Sequence, residues 1–142
     1  MSTKRLMGAA MSAALAAGCY GNYIVRPGML MPETAQVKPE DRVATWNRSI
    51  TVLLDDGYVP QVVNEAAGFV SGKRRDDLVE DNLAGSTAIV TITPEGLVRV
   101  EVSGAGIYSS QEQLVGDVRA EQTRLINRLM GRSQPDGGTS QQ

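Results

Sequence analysis

Two stretches with the apolar period of a helix enclose four short runs of strand character, and that order limits the fold more than any other feature of the chain. In the first stretch Val43, Trp46, Ile50, Leu53 and Leu54 follow one another at spacings of three, four, three and one, which is one face of an amphipathic helix. Pro39-Glu40-Asp41 suits its first turn, where proline loses no hydrogen bond and acids complement the dipole, and Gly57 suits its end. The spacing predicts a helix over 39–56, with Trp46 as its largest apolar anchor.

Residues 58–64 then read as a strand whose Pro60 favours an edge or a beginning. Residues 64–68 form a turn ending in glycine, and 69–74 return as the second arm of a hairpin. Residues 87–93 are rich in Thr, Ile and Val, and Pro94-Glu95-Gly96 makes a tight turn. Along 97–103, Val98, Val100 and Val102 alternate with Arg99 and Glu101, the pattern of a strand with one wet face. Gly104-Ala105-Gly106 reads as a connection to a second helix. Ser109 and Ser110 are its N-cap candidates, and Ser109 with Glu112 fits a capping box. Its apolar stripe is Leu114, Val115, Val118, Leu125, Ile126, Leu129 and Met130; Arg119, Arg124 and Arg128 fall elsewhere on its surface, and Gly131 stops it.

Neither helix can bury its stripe alone. The expected fold is therefore α+β, with two helices packed on one face of a four-stranded antiparallel sheet in the order α-β-β-β-β-α. The domain is expected over 39–131. Residues 132–142 hold Ser, Gln, Gly and Pro without a core-forming side chain and read as a disordered tail. Aromatic residues make up only 4% of the chain, so the core must be aliphatic.

The N-terminus has three zones. Lys4 and Arg5 make a positive start, residues 6–17 form an apolar run broken only by Gly8 and Ser12, and Ala16-Ala17-Gly18-Cys19 follows. The run is shorter than the roughly 20 residues needed to span a bilayer. A positive start, a short apolar middle and small residues at the exit read as an export signal. The one cysteine of the chain stands directly after the small residues. An ordinary secretory signal with a chance cysteine and a transmembrane stub are the alternatives; the cysteine's position favours a third reading.

Ala16, Ala17, Gly18 and Cys19 resemble the lipobox of bacterial lipoproteins. The family usually has Leu three residues before the cysteine; here that position is Ala16, and Leu15 lies one further back. The resemblance implies removal of 1–18 and attachment to Cys19 of a thioether-linked diacylglycerol and an N-acyl chain. Two or three such chains anchor a protein stably, where one would not. Because Tyr20 rather than Asp follows the cysteine, the resemblance implies the outer membrane of a diderm envelope, with the domain facing the periplasm.

Residues 19–38 then form the acylated end and a tether. Pro27, Gly28 and Pro32 break regular structure there. Ile24, Val25, Met29, Leu30 and Met31 are too apolar for a free linker. The preferred expectation is that this segment packs on the domain, with 23–25 as a short edge strand, over contact with lipid or a partner. The order of elements from 39 on, with Gly57-Tyr58 between helix and strands, is similar to several small envelope-lipoprotein domains. Two helices on a sheet with a loose C-terminal tail also resemble the lipopolysaccharide-assembly lipoprotein, without a diagnostic motif of that family.

Charge and composition limit what such a domain does. Removing Lys4 and Arg5 with the leader takes the formal charge from −2 to −4, which gives no basic face for nucleic acid. There is no histidine, which removes the commonest general base and metal ligand. One cysteine allows neither an internal disulfide nor a thiolate metal site. The pair Asp55-Asp56 and the group Asp76, Asp77, Glu80 and Asp81 lack the alternation of a calcium loop and read as solvated surface. Ser103-Gly104-Ala105-Gly106 lacks the third glycine and the parallel strands of a phosphate-binding turn. Lys73-Arg74-Arg75 has the chemistry to touch anionic head groups, but reads first as a solvated hairpin end balanced by Asp76 and Asp77. Ser71, Ser103, Ser109 and Ser110 have no histidine, and neither Lys38 nor Lys73 stands at a spacing that marks it as their base.

The expectation is a non-catalytic envelope lipoprotein with Cys19 as its one modified site, without metal or cofactor. Its partners would be the membrane, through the acyl chains, and an envelope protein of unknown identity. The alternative is a lipid or lipopolysaccharide carrier, which requires an apolar cavity between sheet and helices near Trp46 and Phe69.

Overall fold

Alternating valines and isoleucines make the centre of a sheet, and the helices close over one side of it. The computed structural model describes residues 20–75, 83 and 85–132. In chain order the elements are β1 (Gly21–Val25), β2 (Glu33–Gln36), a 3-10 turn (Pro39–Asp41), α1 (Arg42–Asp55), β3 (Tyr58–Asn64), β4 (Phe69–Arg74), β5 (Thr87–Ile92), β6 (Leu97–Tyr108) and α2 (Gln111–Leu129). β3 to β6 form an antiparallel meander, with β3 at one edge as Pro60 requires. A bulge between Pro60 and Val62 shifts its register against β4.

The sheet has six strands, not the four expected from the sequence. The extra two come from the segment read as a tether: β1 takes in the edge strand expected at 23–25, and β2 was not expected. β6 runs for 12 residues, long enough to hold two partners end to end: β2 along Leu97–Val100 and β1 along Gly104–Tyr108, both antiparallel. The glycines Gly104 and Gly106, expected to form a connection, lie inside β6 opposite Val25 and Tyr23. A side chain at Gly104 would meet the Ser86 Cβ at 2.9 Å, so glycine there permits close packing rather than a turn.

Both helices lie on one face, as expected. α1 packs on β3, β4 and β5, while α2 packs on β6, β1, β2 and α1. Between the layers Val70, Val90, Ile92, Val98, Val100 and Val102 meet Trp46, Leu53, Leu114, Val118, Leu125 and Leu129. Burying each of the aliphatic side chains among them contributes roughly 1.5–3 kcal/mol. Val43 and Leu54, placed on the apolar face of α1 by spacing, are instead exposed; Thr45, Ser49 and Val52 fill the buried positions beside Trp46 and Leu53. Of the two cap candidates of α2, Ser110 is the N-cap and accepts from the Gln113 N–H at 3.2 Å, while Ser109 donates to the Gln113 side chain at 2.6 Å rather than forming a box with Glu112.

The β5–β6 turn docks on the end of β2. Val37 N–H donates to the Gly96 carbonyl at 2.9 Å. Gly96 has φ +92°, and a Cβ there would lie 2.1 Å from the Val37 carbonyl oxygen, so the position requires glycine twice over.

Where β1 ends and β2 has not begun, the outer edge of β6 has no strand partner. Gln122 of α2 fills that break. Its Oε1 accepts the Val102 N–H at 3.0 Å and its Nε2 donates to the Met31 carbonyl at 3.1 Å. The residue is 1% exposed, so its amide replaces a rung of the ladder in a dry place.

Candidate functional site

The sequence features weighed as sites lie in different parts of the molecule. Cys19, the group Asp76, Asp77, Glu80 and Asp81, and residues 133–142 lie outside the described residues. Lys73 is exposed and shares a cross-strand row with Thr87 and Ser103. Two strand spacings, about 10 Å, separate Lys73 from Ser103. Lys38 precedes the 3-10 turn beyond β2, whereas Lys73 shares a face of β4 with Ser71, two residues along the strand. Ser109 and Ser110 are occupied at the start of α2. Trp46 is buried in the core, whereas Phe69 points to the opposite face of the sheet.

Two features that periodicity did not reveal stand out. The first is an ion cluster at the Gly57-Tyr58 corner. Glu121 of α2, 6% exposed, accepts the Tyr58 hydroxyl at 2.8 Å and two hydrogen bonds from Arg124 at 2.9 and 2.6 Å. Arg74 lies 3.5 Å from the same carboxylate, with its guanidinium over the Tyr58 ring. Arg124 also donates to Asp56 at 2.9 Å, and Arg128 binds both Asp56 and, at 3.8 Å, Asp55.

Arg74 is therefore not the solvated hairpin end expected, and Asp56 is not solvated surface. Of the arginines placed on the outside of α2, Arg119 is exposed as expected, whereas Arg124 and Arg128 turn toward the carboxylates of Asp56 and, for Arg124, Glu121. Burial, then the charge and hydrogen bond of Glu121, push the Tyr58 hydroxyl well above its ordinary range, outweighing the opposite pulls of Ser86 and Arg74. Burial opposes the Arg124 charge, but Glu121 and Asp56 outweigh it and raise its pKa further. The cluster has three acids and three arginines, all mutually paired, so its chemistry is that of a clamp. It ties the end of α1, the start of β3 and the end of β4 to α2.

The second feature is the sheet face turned away from the helices. Register places Val59, Val62, Phe69, Ser71, Ile89, Thr91, Arg99 and Glu101 there. The segment between β1 and β2 borders it on the β6 side, fixed by a hydrogen bond of 2.7 Å from Gly28 N–H to Glu101. Pro32 of that segment, Phe69, Ile89, Thr91, Arg99 and Glu101 line an open groove of about 280 Å3. Its floor is apolar and hydroxylic, and one wall carries a charge of each sign. Such a surface suits a protein segment better than a reaction.

Among the described residues no group of three metal-ligating side chains gathers, and no helix is long and apolar enough to cross a membrane. No protein-family model matches the chain, and no curated protein matches it.

Proposed function

We propose that the protein is an envelope lipoprotein, acylated at Cys19, whose domain is a non-catalytic interaction or accessory module. The observation that carries the anchor is the sole cysteine, placed directly after Ala16-Ala17-Gly18 at the exit of a short apolar run that begins with Lys4 and Arg5. Tyr20 in the following position favours the outer membrane of a diderm cell, with the domain on the periplasmic side.

The partner surface in this reading is the open sheet face. Pro60 and the bulge beside it blunt the β3 edge against strand addition, a common protection of exposed edges. The groove around Phe69 and Ile89 has no such guard. A carrier role needs a cavity between the layers instead. Val70, Val98, Val100, Leu114, Val118 and Leu125 there have 0% exposure, so no void that admits water touches them, still less one that admits an acyl chain.

Intact mass of the membrane-fraction protein tests the anchor. The expected mass is the chain from Cys19 onward plus acyl groups, lost in Cys19→Ala; an unmodified chain beginning elsewhere refutes the reading. A photo-reactive residue at position 89, compared with one at exposed position 120 on α2, tests the partner face. Cross-linking to a discrete envelope protein from 89 alone supports it, and equal yields from both positions refute it.

A further inference from the structure

The acylation site leads into the sheet almost without a linker. β1 begins at Gly21, two residues past Cys19, so the first paired residue lies within about 8 Å of the cysteine along the chain. A lipoprotein with a long tether presents its domain at a distance from the lipid. Here the first strand is itself next to the lipid, and β1 is locked in place by β6, by a 3.0 Å hydrogen bond from the Gln111 side chain to the Ile24 carbonyl, and by Val25 in the core.

β1 and the second half of β6 form a two-stranded ribbon that runs beyond β5, whose pairing stops at Ser103. Alternation divides its side chains. Tyr23, Val25 and Tyr108 face the helices and pack there. Tyr20, Asn22, Ile24, Ala105 and Ile107 face the other way and are all exposed. Tyr20, Ile24 and Ile107 are 67%, 47% and 69% exposed. Ile24 is the diagonal neighbour of Ile107 across the ribbon, and Tyr20 flanks it on the other side, at the roughly 7–8 Å of such pairs. The three surround Asn22, which lies directly opposite Ile107, so the outer face of the ribbon is an apolar rim around one uncharged amide.

Neither ribbon strand, Gly21–Val25 nor Gly104–Tyr108, contains a charged residue, although charged residues make up 21% of the chain. The first charge after β1 is Arg26, a cation at the base of the patch. A mostly apolar surface with an interfacial tyrosine, no charge to desolvate and a basic residue at its margin has the chemistry of a bilayer interface with anionic head groups.

We propose that the outer face of this ribbon, Tyr20, Ile24 and Ile107, rests in the interface of the bilayer that holds the acyl chains of Cys19. This rests on the acylation reading, because the anchor is what brings a lipid surface to the ribbon. The consequence is a fixed orientation: the domain lies against the membrane by its β1–β6 corner, with the β3 edge and the outer side of α2 turned to the aqueous space.

The full acylated protein, produced with its leader, provides the test. Acylation occupies the thiol of the one native cysteine, so Ile107→Cys and, separately, Ala120→Cys on exposed α2 each give a single labelling site for an environment-sensitive fluorophore. Each labelled protein is reconstituted in phosphatidylethanolamine–phosphatidylglycerol vesicles with and without nitroxide-bearing lipid, and its Cys19 mass is measured on the same sample. At least threefold stronger lipid quenching and a blue-shifted emission at 107 relative to 120 is the expected result. Equal quenching at both positions on protein of confirmed acyl mass overturns the membrane-contact proposal and leaves the anchor standing. An unmodified Cys19 overturns both. A label at 107 that is shielded without lipid quenching, together with self-cross-linking from that position, overturns it in favour of a second copy of the chain.

Discussion

Replacing Gln122 with leucine tests whether one buried amide holds the N-terminal strands on the sheet. Leucine has nearly the same volume, so the change removes hydrogen bonds without opening a large cavity. The Val102 N–H loses its acceptor inside the core, at a cost of about 1–3 kcal/mol for a buried, unsatisfied group. The Met31 carbonyl lies in a segment that water reaches by a small displacement, and its loss costs about 0.5–1.5 kcal/mol. Relief from desolvating the glutamine amide offsets part of the sum. The net expectation is a loss of roughly 2–3 kcal/mol, a large fraction of the 5–15 kcal/mol typical of a domain.

Urea unfolding followed by the fluorescence of Trp46, the one tryptophan and a core residue, measures it. Hydrogen exchange supplies a local signature: the Val102 amide and the β1 amides should lose protection before the β3–β5 amides do. Gln122→Glu separates the two bonds. Its carboxylate keeps the acceptor for Val102 but opposes the Met31 carbonyl, whereas its protonated form restores donor and acceptor together. Burial raises the pKa of such a carboxyl in the folded state, so the deficit relative to wild type should shrink as pH falls through that pKa. A Gln122→Leu protein within 0.5 kcal/mol of wild type, with Val102 protection unchanged, would refute the reasoning.

Tyr58 should resist ionisation in an alkaline spectrophotometric titration. Its folded pKa stands above the ordinary value of 10.0, so its contribution to stability is complete below about pH 10 and is lost as pH rises beyond it. Tyr58→Phe should flatten that alkaline loss, and a tyrosine titration without a delayed component would count against the buried hydroxyl. Glu121→Gln should cost roughly 2–3 kcal/mol in urea unfolding, because it leaves the Arg74 and Arg124 charges without the carboxylate they share; partial exposure of Arg124 keeps the cost below that of a fully buried pair. A change below 0.5 kcal/mol would mean that water replaces Glu121 freely. Gly96→Ala should cost 2 kcal/mol or more, since strain at φ +92° adds to a collision with the Val37 carbonyl. A crystal structure of that variant with the β5–β6 turn still docked on Val37 would contradict this.

The meander and the two helices were legible because local pattern encodes them. Val98, Val100 and Val102 fix a core face by alternation, and Pro60 marks an edge that β3 indeed occupies. The candidate surfaces were less legible. Spacing assigned α2 a stripe that passed from Val118 to Leu125, and the positions between, Glu121 and Gln122, are buried polar residues. Periodicity counts apolar residues, so it does not see a polar side chain whose partners come from other elements. Arg74, Arg124 and Arg128 read as surface for the same reason: Asp56, Glu121 and Tyr58 are scattered in sequence and meet only through the fold.

The sequence by itself determined the α+β class, a mostly aliphatic core, the absence of histidine chemistry and the expectation of an anchor at Cys19, because each follows from composition or local period; it did not show that Tyr58 and Tyr108 join Trp46 in that core. Only the tertiary structure decided that the edge strand expected at 23–25 extends over Gly21–Val25 and that Glu33–Gln36 is a strand at all. Their short, irregular segments carry little propensity of their own, and they become strands because β6 is long enough to offer them an unpaired edge. The same pairing sets Tyr20, Ile24 and Ile107 side by side from opposite ends of the chain, a long-range contact that no local window contains.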